Sequence, residues 1–449
     1  MTYRELLAGN ADFRRLWTGQ VVSEVGDWLN NIAVLALVIQ FAGAGRVGLA
    51  VATYAIARHL PLFLFGPVAG VVVDRASRRR VMIAADVARA CLALGFLLAN
   101  RFASLALIYV VGASLFSVSA FFNAAKRASV PNLVAGTEEL LAANSLSAST
   151  TAATIAVGSA LGGVVATALG RDTVFVLNAL TFLASADMIR RIRKPLSAEQ
   201  RTAGAAASAG GRSLSAPPPP TSLAARRAPL GAFFGEFREG LRYVRRDRVL
   251  AAVFVVAAGW GLGNGAARAL YSIFGARLGE QAAAGWGGSF GALAERPTDF
   301  GISVLFVAMG LGGVLGAPLA RRFNSGAAEG LGARMGRSLA LDGCGLVLFS
   351  LTPSLFGAAA VLVAREVNFA IWWTAQQTLL MRRTEDAFAG RVFASYETLT
   401  TLMMVGSMLA SGAAADRVGI RPVAACAGGV VVLSGLSWFV LRRRGGGAG

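Results

Sequence analysis

Four polar side chains follow one another along a single apolar segment near the start of the chain. They are spaced by four, three and four residues and are Gln20, Glu24, Asp27 and Asn31. This spacing places them on one face of an α-helix. A carboxylate in apolar surroundings is costly unless it meets a cavity or a cation, and such surroundings tune its proton affinity. The stripe therefore predicts a polar cavity wall with a proton site at Glu24 or Asp27; the alternative is a stripe that only holds helices together.

Two later apolar segments carry aromatic and polar residues on one face. The first has Trp260, Asn264, Arg268 and Tyr271, and the second has Arg365, Phe369, Trp372 and Gln376 with Glu366 adjacent. Aromatic surface beside a few polar anchors suits an amphipathic ligand. The alternative is that these aromatic residues are simply core and that Arg365 and Glu366 neutralise other charges.

Further charged residues interrupt apolar runs and are therefore also considered. Arg58, next to His59, could pair with Asp27 or Glu24 in a charge switch that protonation breaks, or could attract an anionic substrate. Glu397 is a second candidate for proton binding. Asp86 and Arg89 lie three residues apart on one helix face, where we expect them to neutralise each other.

The segments that position these residues are long enough to cross a bilayer. The chain has 449 residues, 55% of them hydrophobic and 15% charged, so lipid must be the solvent for much of it. Twelve apolar stretches are predicted to span the membrane: 16–41, 47–72, 80–100, 103–125, 140–168, 172–190, 249–275, 300–320, 337–353, 355–381, 390–415 and 420–441. The first is too long for the apolar core of a signal peptide and should remain as an anchor.

The formal net charge of +19 is distributed unevenly between the loops. Basic residues concentrate in alternate connections, which is the positive-inside pattern of a bacterial inner-membrane protein and not that of a nucleic-acid binder. We therefore expect both termini and the central loop to lie in the cytoplasm, which requires an even number of spans.

The chain divides into two halves around a polar tract. Residues 1–195 form the first six spans, 196–232 read as a disordered cytoplasmic linker rich in Ser, Ala, Gly and Pro, and 233–449 hold the other six. Directly after the linker, Phe233, Phe237, Leu241 and Val244 recur at helical spacing against basic residues, as in an interfacial helix.

Four glycine-containing segments precede polar turns at the ends of the second, fifth, eighth and eleventh predicted spans. They are GPVAGVVVDRASRRR from Gly66, GSALGGVVATALGRD from Gly158, GVLGAPLARRF from Gly313 and GSMLASGAAADRVGIRP from Gly406. Each half is therefore two three-helix units of opposite orientation, an arrangement that places a substrate site between pseudo-symmetric bundles. The alternative is that small residues merely allow close helix packing.

Several of these segments resemble known transporter motifs. GVVVDRASRRR from Gly70 to Arg80 is similar to the cytoplasmic signature loop of the major facilitator superfamily, with Ser77 in place of its second Gly, and GSALGG from Gly158 resembles its antiporter motif, with Ser159 in place of Pro. FRRLWTGQVVSEVGDWLNNIAV, AAKRASVPNLVAGTEELLAANSL and FVLNALTFLASA resemble its macrolide-efflux and enterobactin-exporter branch. The resemblance implies an all-α fold of two six-helix halves and proton-driven export of drugs or siderophores.

The same resemblance implies a gate at the cytoplasmic side. In the outward-facing state this gate would hold the cytoplasmic side closed, with Asp74 accepting hydrogen bonds from Lys126 or Arg127. The expected gate residues are Gly70, Asp74, Arg75, Arg79, Lys126 and Arg127.

Motifs for other chemistry are absent from the sequence. There is no GxxxxGK[ST] loop, no HExxH and a single His, so we expect neither an ATPase nor a membrane enzyme, and no cofactor or metal. We predict a monomeric proton antiporter of rocker type that exports small amphipathic molecules. The alternatives are an exporter of an anionic siderophore or lipid, and a non-transporting sensor or scaffold with the same fold.

Overall fold

The computed structural model describes residues 2–196, 230–285, 295–324 and 330–443, and these are helical almost throughout. In chain order the helices of the first half are α1 (Tyr3–Gly9), α2 (Ala11–Phe41), α3 (Val47–Arg75), α4 (Arg78–Arg101), α5 (Leu105–Leu133), α6 (Gly136–Leu169) and α7 (Arg171–Arg190). Those of the second half are α8 (Leu230–Val244), α9 (Arg248–Gly285), α10 (Pro297–Asn324), α11 (Leu331–Leu351), α12 (Leu355–Arg383), α13 (Asp386–Val418) and α14 (Ile420–Arg443).

Each of the twelve predicted spans coincides with one helix, α2 to α7 and α9 to α14. Eleven of the described helices are long and apolar enough to cross a bilayer. Of the twelve helices that match predicted spans, α11 is not among these eleven, because it carries Arg334, Arg337 and Asp342 within 21 residues. Asp342 is neutralised by Arg365 of α12, so α11 completes the second half despite its charges.

The two halves repeat one packing scheme. In the first half α3 packs on α5, α4 on α7, and α2 on α6 and α7; in the second half α10 packs on α12, α11 on α14, and α9 on α13 and α14. The corresponding turns agree as well, because Gly170 joins α6 to α7 at φ 89° and Gly419 joins α13 to α14 at φ 88°. Left-handed backbone of this kind favours glycine. The predicted pseudo-symmetry of the two six-helix halves is therefore visible in the packing of the helices.

The most extensive packing between the halves is along two helix pairs, α6 with α10 and α3 with α13. These are the four helices that carry the glycine-containing segments. On α10, a Cβ at Gly310 would meet the backbone of Ala156 on α6, and on α13 a Cβ at Gly412 would meet Gly48 of α3. Small residues at these points allow the backbones of the two halves to approach closely.

The helix α8 lies against one end of α13. Ser395 Oγ donates to the Phe237 carbonyl at 3.3 Å, and the rings of Tyr243 and Phe388 stack at 4.5 Å. The predicted linker lies largely outside the described residues, and the helix begins at Leu230, within the last residues assigned to that linker.

Candidate functional site

Two ends of the bundle can be told apart by charge. The arginine-rich end carries Arg75, Arg127 and Arg383 on helices that finish there, and the far end carries the short connections 42–46, 102–104 and 352–354. Two connected cavities lie between the halves.

The inner cavity has a volume of about 250 Å³ and is lined by α2, α3, α5, α9 and α10. Its polar residues are Asn31, Tyr54, Arg58, His59, Arg268 and Tyr271, and its other walls include Trp28, Phe116 and Phe306. The Arg58 guanidinium donates to Asn31 and lies 4.8 Å from the Trp28 ring centre and 5.0 Å from that of Phe116. Aromatic walls with few polar groups are typical of small-molecule sites.

The larger cavity, of about 610 Å³, lies toward the arginine-rich end. His59 and Leu62 line both cavities, so the two are continuous. Its walls include Trp260, Trp373 and Tyr396 together with the charged residues Arg127 and Glu397. Trp260 and Trp373 belong to an aromatic cluster with Phe369 and Trp372, whose ring centres lie 5.0 to 6.0 Å apart.

The predicted stripe on α2 is polar but only partly lines a cavity. Asn31 faces the inner cavity, whereas Glu24 accepts hydrogen bonds from Gln20 at 2.8 Å and from Thr154 of α6 at 3.2 Å. The Lys126 ammonium lies 3.4 Å from Glu24, and the side chain of Glu24 is 21% exposed. The stripe therefore connects the inner cavity to an ion pair inside the first half.

The carboxylates of α2 have cations other than those predicted. The sequence allows Arg58 to pair with Asp27 or Glu24 or to attract an anionic substrate, and Asp74 to accept from Lys126 or Arg127. Instead Asp27 lies 3.9 Å from Arg89, and Arg58 donates a hydrogen bond to the neutral side-chain oxygen of Asn31. Arg89 is the cation beside Asp27 because of where it is held: Asp86 and the ring faces of Phe122 and Phe182 fix its guanidinium on α4.

In the second half, Arg365 is fully engaged inside the bundle. It donates to the Asp342 carboxylate at 2.9 Å and to the Tyr271 hydroxyl, so it does not pair with its neighbour Glu366. The Gln376 amide donates to the Tyr396 hydroxyl, and both Trp372 and Gln376 are fully buried. Asn264 is buried on α9, and its amide nitrogen has no hydrogen-bond partner among the described residues. Arg365 and Gln376 thereby hold Tyr271 and Tyr396, which line the two cavities.

Contacts between the halves close the far end. The Asp416 carboxylate of α13 accepts hydrogen bonds from the backbone N–H groups of Gly48 and Leu49 at 2.7 and 2.9 Å. On the other side of the interface, Arg171 of α7 donates twice to Asp299 of α10, with Nη2 to Oδ2 at 2.8 Å. Asp299 is fully buried, so this carboxylate is shielded from water.

The arginine-rich end is open between α3 and α13. A Cβ added at Gly66 or Gly70 of α3 would meet no described atom within 4 Å, in contrast to Gly48 and Gly412 at the far end. In this open end the predicted gate residues lie apart from one another. Asp74 and Arg75 are exposed, Arg79 donates to the Lys194 carbonyl, Lys126 pairs with Glu24, and Arg127 lines the larger cavity.

Sequence reasoning missed three carboxylates that organise the site, Asp299, Asp342 and Asp416. Asp342 stands alone in an apolar segment, the same criterion that selected Glu24 and Asp27. Asp416 occupies, in the fourth glycine-containing segment, the place that Asp74 occupies in the first, since both precede Arg. Among the described residues, no group of three His, Cys, Asp or Glu side chains could hold a metal ion.

Comparison with known proteins identifies relatives along nearly the whole chain. The sequence model of the Major Facilitator Superfamily matches residues 16–407. An uncharacterised MFS-type transporter, YfiS of Bacillus subtilis (strain 168), is 24% identical over 94% of this chain and 91% of its own length. BacE of Bacillus subtilis, a proposed bacilysin exporter, is 26% identical over 87% of this chain and 86% of its own.

Two solved structures share the fold. A bacterial homologue of the human lysosomal transporter Spinster, in an inward-facing and unoccupied conformation, superposes with a TM-score of 0.63 and 14% identity over 96% of each chain. A single-residue mutant of the nucleoside transporter NupG gives a TM-score of 0.64 at 11% identity, covering 95% of this chain and 99% of that one.

Proposed function

Because the chain belongs to the Major Facilitator Superfamily, we propose that this membrane transporter exports small amphipathic molecules of the drug or macrolide type by alternating access. The observation that carries the proposal is the pair of connected cavities, which open at the arginine-rich end and end at contacts between the halves. A binding site between two pseudo-symmetric halves is the arrangement that alternating access requires.

The direction of transport is argued from charge. Basic connections are retained in the cytoplasm, so the arginine-rich end would face inward and the cavities would collect molecules from the cytoplasm. The likeness to BacE, a proposed exporter, supports the same direction. Closure of α3 against α13 at the arginine-rich end, with release of the far end, would then deliver the molecule outside.

Proton coupling is proposed for the ion pairs of α2. Glu24 faces Lys126 and Asp27 faces Arg89, and both carboxylates keep 21 to 23% of their side-chain surface exposed. Protonation of either carboxylate would remove one half of an ion pair between helices and allow α2 to move relative to α4 or α5. The coupling of proton uptake to helix movement is the basis of an antiport mechanism.

Energised efflux tests the proposal. Cells expressing the wild type would be compared with empty cells for a panel of lipophilic cations, macrolides and siderophores, with and without a protonophore. We expect lower accumulation with the wild type, and its loss with the protonophore and with Glu24→Gln or Asp27→Asn. Glu280→Gln, an exposed carboxylate at the far end, should leave efflux unchanged.

The outcome that rejects export is equal accumulation of the whole panel in wild-type and empty cells. If both α2 variants exported at the wild-type rate, these carboxylates would instead have no part in the coupling mechanism.

A further inference from the structure

Two arginines that line a cavity inside the described bundle, Arg58 and Arg268, have no carboxylate within ion-pair distance. Four other cations there meet a carboxylate, in the pairs Lys126–Glu24, Arg89–Asp86, Arg171–Asp299 and Arg365–Asp342. Arg58 donates only to the neutral amide oxygen of Asn31. For Arg268, no carboxylate among the described residues lies within the 4.0 Å of an ion pair.

Among the described residues that line the inner cavity holding both arginines, none is acidic. Two carboxylates act on these arginines through space without forming an ion pair: Asp27 is paired with Arg89, and Glu366 lies on α12 outside the cavity wall. Glu397 lines the larger cavity instead. An aqueous cavity with two guanidinium groups and low-dielectric walls concentrates anions.

The surroundings of Arg58 hold its guanidinium ready for a ligand. Trp28 and Phe116 lie against it at 4.8 and 5.0 Å, and a planar guanidinium held in this way loses little freedom when it binds a carboxylate or phosphate with two hydrogen bonds. Beyond His59 and Leu62, the larger cavity is lined by Trp260 and Trp373. The two cavities together suit a molecule with an anionic group at one end and an apolar body at the other.

We propose that Arg58 and Arg268 form the recognition site for an anionic group, a carboxylate or phosphate, of an amphipathic substrate. The inference rests on the proposed function and names the substrate class. Arg58 belongs to the first half and Arg268 to the second, so one bound anion would draw both halves together. Substrate binding would thereby favour the closing movement of the transport cycle.

Ligand binding to the purified full-length protein in lipid nanodiscs tests this site without transport. Tryptophan fluorescence, to which Trp28 contributes beside Arg58, would be titrated with N-benzoylphenylalanine and with its neutral methyl ester, and in parallel with naphthyl phosphate. We expect the wild type to bind at least one anion about tenfold more tightly than the neutral ester. Arg58→Gln and Arg268→Gln should each remove that preference and keep the affinity for the ester. Arg101→Gln, an exposed arginine at the far end, should keep the preference.

A second readout needs no ligand. Because Arg268 has no carboxylate partner among the described residues, Arg268→Gln should leave the melting temperature of the unliganded protein unchanged or raise it. A fall would indicate a structural role and contradict the proposal.

The site is also rejected if the wild type binds neither anion, binds anions and ester equally, or keeps its preference in both variants. Efflux without any charge preference would overturn the anion site and leave the proposed function standing. Charge-selective binding by a protein that exports nothing would support the site and contradict the export proposal.

Discussion

At the residue scale, the ion pairs inside the bundle follow one rule, that a charge in apolar surroundings needs a partner. The sequence indicates which residues need one, because a lone Asp or Arg in an apolar run is conspicuous. It does not indicate the partner, since Lys126 lies 102 residues from Glu24 and Arg365 lies 23 residues from Asp342. Only the packing of the helices brings residues that are so far apart along the chain into contact.

The pair of Arg365 and Asp342 should be structural. Asp342→Asn would leave the buried Arg365 guanidinium without its counter-ion, which typically destabilises a protein by about 3–5 kcal/mol. We expect a marked fall in the melting temperature of the purified protein in detergent. Asp187→Asn, which removes an exposed pair with Arg190 and Arg191, should leave the melting temperature almost unchanged because exposed pairs contribute little. Equal melting temperatures for the two variants would contradict this assignment.

At the element scale, helix positions could be predicted and helix ends less well. All twelve spans were located from apolar length, but α2 begins at Ala11 and not at residue 16, because the Asn10 side chain accepts from Phe13 N–H and starts the helix earlier. Polar residues in this first turn concealed the boundary. The start of α3 is unusual, since Arg46 provides no side-chain cap and Asp416 of the other half takes that place.

This cap across the interface should help hold the far end closed. A helix cap contributes about 0.5–2 kcal/mol, so Asp416→Ala should shift the ratio of open to closed far ends by about 2- to 30-fold. Spin labels at Gly43 and Val418 would report a longer distance in the variant. Asp172→Ala, which removes a hydrogen bond to Asn100 within one half, should leave the distance distribution as in the wild type. Identical distributions for Asp416→Ala and wild type would refute this role.

At the scale of the whole molecule, the internal repeat predicted from four glycine-containing segments corresponds to the four helices that join the halves. The sequence could reveal the repeat because close backbone approach demands small residues wherever the halves meet. It could not reveal which end is closed, since Gly48 and Gly70 both lie on α3, and one meets the other half while the other does not. The conformation depends on the balance of contacts at the two ends.

The central claim is that the halves must separate at the far end for a molecule to leave. Leu49→Cys and Asp416→Cys would be combined in a protein whose exposed Cys91, Cys344 and Cys426 are replaced by Ser, and bridged by a short bifunctional thiol reagent with a reducible link. Transport of a compound moved by the wild type would be followed in everted membrane vesicles. We predict that bridging stops transport, that reduction restores it, and that each single-cysteine protein transports equally with and without the reagent. Transport by the bridged protein at the rate of the unbridged one would contradict the account.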